Sequence, residues 1–102
     1  MAVAYYTEFT GSDPELAQQI TERINQHLGN KPPQGAIFHA EGPLGNDGWW
    51  TFNVWESENA AERFFSDILS PTLRSVNAPE GKRRMLTVAW ESNSMMTDPR
   101  QP

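Results

Sequence analysis

The run Gly35–Ser57, GAIFHAEGPLGNDGWWTFNVWES, restricts the folds open to this chain more than any other stretch. Two segments rich in apolar and aromatic residues, Ala36–Ala40 and Trp49–Trp55, flank a stretch holding Gly42, Pro43, Gly45, Asn46, Asp47 and Gly48. Turn residues between two such runs predict antiparallel strands joined by a loop. Pro43 has no N–H to give to a ladder and is expected to end the first strand. Gly45, Asn46 and Gly48 tolerate positive φ and suit the turn. Three of the four tryptophans and one of the two histidines fall inside this run. A pocket in this protein would take part of its wall from here.

Around the hairpin the pattern reads strand–helix, then helix–strand. Over Ala2–Phe9, Val3, Tyr5, Thr7 and Phe9 alternate with Ala4, Tyr6 and Glu8, which predicts a strand. Ser12 with Glu15 fits a capping box, and Asp13 before Pro14 fits an N-cap followed by proline; either register starts the same helix. Leu16, Ile20, Ile24 and then His27 or Leu28 recur at helical spacing, and Gly29-Asn30 with Pro32-Pro33 stops the helix. Ser57 caps a second helix whose stripe is Ala61, Phe64, Phe65, Ile68 and Leu69. Ser70-Pro71 is expected to interrupt it before a short continuation at Leu73. Met85–Trp90 reads as the last strand, with Lys82-Arg83-Arg84 as a solvated lead-in. The order β-α-β-β-α-β predicts an α+β ferredoxin-like domain over residues 1–92, an antiparallel four-stranded sheet with both helices on one face. Residues 93–102 form a polar C-terminal tail.

A chain of 102 residues suits one small domain, for which association buries further surface. The net charge of −5 argues against nucleic acid or an anionic membrane as partner. The chain has no cysteine, which excludes disulfides, thiolate chemistry and Cys-ligated metals. No apolar run reaches the roughly 20 residues of a membrane span, and MAVAYYTEF lacks the pattern of a signal peptide. The expectation is a soluble, cytoplasmic protein.

The third strand carries rings on both faces: Trp50, Phe52 and Val54 alternate with Trp49, Thr51, Asn53 and Trp55. Helices cover one face only. An exposed apolar face of this size marks an interface, and two-fold self-association is the commonest way to cover it. A homodimer with its two sheets packed together is expected.

Four segments carry a family resemblance: Phe38-His39-Ala40-Glu41-Gly42-Pro43, Asn53-Val54-Trp55-Glu56-Ser57, Arg63-Phe64-Phe65 and Leu69-Ser70-Pro71-Thr72-Leu73. In pattern they resemble the dimeric α/β-barrel superfamily, and within it the antibiotic biosynthesis monooxygenase-like branch. The likeness runs from the first strand to the last and identifies architecture better than chemistry. It implies a dimeric α/β barrel. Members include cofactor-independent oxygenases of aromatic polyketides, polyketide cyclases and haem-degrading enzymes. The haem-degrading members take an iron-ligating histidine from the second helix. Here Trp55 matches their tryptophan, but the helix position is occupied by Phe64-Phe65, which argues against haem.

His39, mid-strand between Phe38 and Ala40, can serve as acid or base, or as a hydrogen-bonded group at the sheet edge or dimer seam. His27 at a helix end suits the helix dipole. Neither histidine has a carboxylate at metal-ligand spacing, so no metal is expected. Tyr5 and Tyr6 point to opposite faces, and one phenol faces the helices, where it could stabilise developing negative charge; Tyr6 is the candidate. Asn53, an amide among rings, either pairs with backbone or holds a ligand. Phe38, Trp49, Trp50, Trp55, Phe64 and Trp90 would wall a flat apolar ligand, or serve as core and interface packing. GxSxG, P-loop, GxGxxG and HExxH patterns are absent. Two functions fit. One is a homodimeric enzyme without a bound cofactor, using His39, Tyr6 and Asn53 on an aromatic or polyketide-like molecule, monooxygenase- or cyclase-like. The other is a non-catalytic homodimer that binds a small hydrophobic ligand or serves in assembly.

Overall fold

The hairpin sets the frame of the sheet. In the computed structural model, which describes residues 2–89, β2 (Ala36–Leu44) and β3 (Gly48–Trp55) pair antiparallel from Ala36↔Trp55 to Leu44↔Gly48. β1 (Val3–Thr10) pairs antiparallel with β3 on one side and with β4 (Lys82–Thr87) on the other, giving the sheet order β2-β3-β1-β4. The helices are α1 (Pro14–Leu28) and a second helical stretch from Glu58 to Ser75. The order β-α-β-β-α-β and the single four-stranded antiparallel sheet are those of the ferredoxin-like fold. Among the described residues no helix is long and apolar enough to cross a membrane.

Caps fix the helix starts. Asp13 is the N-cap of α1, its Oδ1 accepting from Leu16 N at 2.9 Å, so the Asp13-Pro14 register is the one used. Gly29 ends α1 in the left-handed region at φ 66°. Ser57 Oγ accepts from Ala60 N at 3.2 Å and starts the second helix as expected.

Several boundaries differ from the sequence expectation. Pro43 does not end β2, which runs on to Leu44; the turn shrinks to Gly45, Asn46 and Asp47. β2 is an edge strand, where a missing N–H is tolerated. Ser70-Pro71 does not interrupt the second helix. α2 (Glu58–Phe64) passes through a π-helical turn, Phe65–Leu69, directly into α3 (Ser70–Ser75). The Ser70 N–H bonds Phe65 O, and the wider turn accommodates a proline that has no N–H of its own. Finally, β4 begins at Lys82, so the three cations are not a lead-in but its first half. All six residues of this edge strand are exposed, and charges on an edge oppose unwanted strand pairing. At its other end β4 stops at Thr87, short of the expected strand end, with Val88 and Ala89 beyond it; Trp90 and the tail 93–102 lie outside the described residues.

The register assigns every strand residue to a face. Val3, Tyr5, Thr7 and Phe9 of β1, all buried, share the helix-covered face with Trp49, Thr51, Asn53 and Trp55 of β3 and with His39 and Glu41 of β2. The core there packs Val3, Tyr5 and Trp55 against Ala60, Ala61 and Phe65. The opposite face carries Ala4, Tyr6 and Glu8, then Trp50, Phe52 and Val54, with Phe38 and Ala40 at one edge and Arg84 and Leu86 at the other. No element of the described chain covers it.

Candidate functional site

A cavity of about 360 Å³ opens between the helix-covered face of the sheet and the helices. α1 contributes Ile20 and Ile24 from the stripe read in the sequence, and the second helix contributes Phe64 and Leu69. The π turn lies on this wall, as such turns often do at functional sites. Trp55, 2% exposed, packs against Phe64 with ring centroids 5.1 Å apart. The lining is predominantly apolar; its polar residues include Thr21 and Asn25 of α1, Lys31 beyond it, and His39, Glu41, Thr51 and Asn53 on the β2–β3 wall.

Two polar sets occupy that wall. Trp55 Nε1 donates to Asn53 Oδ1 at 2.7 Å. This bond fixes which end of the amide is engaged and leaves the Asn53 NH₂ group as a donor. The second set is centred on Glu41. Trp49 Nε1 donates to Glu41 Oε1 at 2.9 Å, and His39 Nε2 lies 3.5 Å from Glu41 Oε2. The His39 imidazole is the largest cause holding the Glu41 carboxyl below its ordinary range; the Trp49 N–H adds to it, against the opposing effect of partial burial. His39, Glu41, Trp49, Asn53 and Trp55 all line the cavity.

Of the residues picked from sequence, His39 and Asn53 share the cavity wall with Trp55 and Phe64. Tyr6 does not. Strand parity turns it to the opposite face, where its hydroxyl donates to Glu8 Oε2 at 2.8 Å. Tyr5 is the tyrosine that faces the helices, packed edge-on against Phe65 with centroids 4.9 Å apart. Its hydroxyl is buried without a hydrogen-bond partner, and burial raises its pKa, with Glu62 and Glu58 adding to the rise. Trp50 also belongs to the opposite face, its indole lying across Gly42, where an added Cβ would come within 3.1 Å of Nε1. Phe38 borders the cavity, yet its ring packs on Phe52 of the opposite face, centroids 6.3 Å apart. Trp90 lies outside the described residues.

Sequence reading passed over Glu41 as a member of the site and took Trp49 only as part of an aromatic wall. The signal was present: His39 and Glu41 are two apart on one strand, so they share a face. Arg83, read as part of a solvated lead-in, does not line the cavity, but its guanidinium stacks 3.9 Å from the Phe65 ring centroid. Among the described residues no cluster of three His, Asp or Glu side chains could hold a metal.

No family model matches the chain, and no curated protein matches its sequence. Solved structures do match. SnoaB, a cofactor-independent oxygenase from Streptomyces nogalater, superposes with a TM-score of 0.63 at 16% identity, over 90% of this chain and 97% of that one. Rv0793 from Mycobacterium tuberculosis gives 0.66 at 14% identity, over 91% and 100%. A candidate antibiotic biosynthesis monooxygenase from Chloroflexus aurantiacus gives 0.64 at 10% identity, over 91% and 98%. At these identities the likeness establishes the fold, the ferredoxin-like fold of antibiotic biosynthesis monooxygenase-like structures that the sequence resemblance implied.

Proposed function

We propose that a chain with this fold and this cavity works as a homodimeric enzyme on a flat, apolar, oxygen-bearing molecule of the aromatic or polyketide type, with no bound cofactor. The observation that carries the reading is the placement of two polar groups, His39 and Asn53, on one wall of an apolar cavity of about 360 Å³. The ring system lies against Trp55 and Phe64. Asn53 NH₂ donates to a carbonyl or enolate oxygen on the ligand, since Trp55 already occupies the amide oxygen. His39 removes a proton from a phenol or an activated carbon. The resulting enolate or phenolate is electron-rich. It can react with dioxygen, as in a monooxygenase, or close on a carbonyl of the same molecule, as in a cyclase. SnoaB, which shares the fold, is a cofactor-independent oxygenase. Tyr6 has no part in this reading, because it faces away from the cavity.

Homodimerisation is supported by the uncovered face. Phe38 is 53% and Leu86 43% exposed, and Trp50, Phe52 and Val54 between them are half-buried. A second copy of the same face would cover them.

Emodin, a hydroxyanthraquinone, is a suitable probe of the cavity. Titration monitored by tryptophan fluorescence is expected to saturate in the wild-type protein and to weaken by about tenfold or more in Asn53→Asp, a loss of ~1.4 kcal/mol. Turnover of a polyketide-like substrate is expected to vanish in His39→Gln. Saturable binding with no turnover of any such substrate would instead favour a non-catalytic binding protein. Absence of emodin binding would remove the proposed site.

A further inference from the structure

We infer that Glu41 is a positioning residue for His39, held in turn by the indole of Trp49, so that the three side chains form a relay ending on a base in the cavity. The inference rests on the assignment of His39 as the base. The geometry that carries it is the sharing of one carboxylate. Oε1 is taken by Trp49 Nε1–H at 2.9 Å, which leaves Oε2 directed to His39 Nε2 at 3.5 Å. The three residues come from facing positions of one hairpin. His39 and Glu41 sit two apart on β2, and Trp49 pairs with Pro43, the next residue on that face. All three line the cavity.

A carboxylate at Nε2 favours the proton on that nitrogen. Nδ1 then keeps its lone pair and accepts the proton of the ligand. The imidazolium that forms remains beside the carboxylate, which stabilises its charge. Trp49 matters because a glutamate has three side-chain torsions, and the indole bond restricts them. The 3.5 Å separation is long for a hydrogen bond, as such contacts often are before a ligand fills the site.

Nitrobenzisoxazole tests the relay without a known substrate. It is a flat apolar carbon acid that asks only for a base in an apolar site. The base takes the ring C–H proton, that electron pair completes a nitrile, the N–O bond breaks, and a coloured nitrophenolate leaves. The pH–rate profile of phenolate release is to be compared in wild type, His39→Gln, Glu41→Gln and Trp49→Phe. The expected result is wild-type activity lost in His39→Gln. In Glu41→Gln kcat is expected to fall about tenfold or more with KM little changed, and in Trp49→Phe to fall less. A cavity merely deformed by these substitutions would raise KM. Activity dependent on His39 and indifferent to Glu41 overturns the relay and leaves the base assignment standing. Activity indifferent to His39 overturns both. If Glu41→Gln does not fold, ¹³C NMR titration of the Glu41 carboxyl decides. It is expected to move up toward the ordinary carboxylate range in His39→Gln, and an unmoved titration overturns the relay.

Discussion

Asn53 does two things with one amide. Its oxygen satisfies the buried Trp55 N–H, and in the proposed function its NH₂ serves the ligand. Substitutions separate the two. Asn53→Ala strands a buried indole N–H and is expected to lower stability by ~1–3 kcal/mol. Asn53→Asp keeps an acceptor for Trp55, so thermal unfolding is expected to change less while emodin binding weakens by about tenfold or more. Tyr6→Phe is expected to leave emodin affinity unaltered, since only the contact to Glu8 is removed. Glu41 gives a pH signature. Its carboxyl titrates below its ordinary value in the folded protein, chiefly because of His39. Its contribution to stability is therefore present above the unfolded-state pKa and fades as pH falls through the lowered folded value. Denaturant unfolding of wild type and Glu41→Gln is expected to differ by about 1 kcal/mol or less near neutral pH, for a pair this exposed, and to converge in acid. A gap that widens in acid would contradict the assignment. At this scale the sequence was only half legible. Alternation showed that Tyr5 and Tyr6 oppose each other. It could not say which faced the helices, because bulky groups occupy both sides of β1.

Elements were easier to read than residues, because caps and breakers act locally. Asp13-Pro14, Gly29 and Ser57 each stand where a helix starts or stops. The misreadings share a cause: a residue judged by its intrinsic preference was overridden by position in the sheet or helix. Pro43 and Lys82-Arg83-Arg84 are tolerated because β2 and β4 are edge strands, which the sequence order alone does not reveal. Pro71 is tolerated because a π turn precedes it. Gly35 shows how tightly β2 is tied to the second helix. It has φ 87°, its oxygen accepts from Glu56 N at 2.8 Å, and an added Cβ would come within 2.6 Å of Ala60 Cβ. Gly35→Ala is expected to cost ~1–3 kcal/mol by overpacking and backbone strain, read as a fall in the denaturation midpoint.

At the scale of the whole molecule, the sheet has two apolar faces with different fates. The chain covers one with its helices and leaves a cavity beneath them. On the other face Phe38, Phe52, Trp50 and Leu86 are left uncovered by the described chain, and the proposed partner for them is a second copy. Leu86→Glu places a charge in that face and is expected to yield monomer in sedimentation velocity, with the far-UV circular dichroism of the wild type. Native mass spectrometry of the wild-type protein with emodin tests both fates together. The expected species is twice the 11.5 kDa chain carrying two emodin molecules, one for each helix-covered cavity. A folded single chain, or a dimer that takes up no emodin, would contradict the division of the sheet into a ligand face and a partner face.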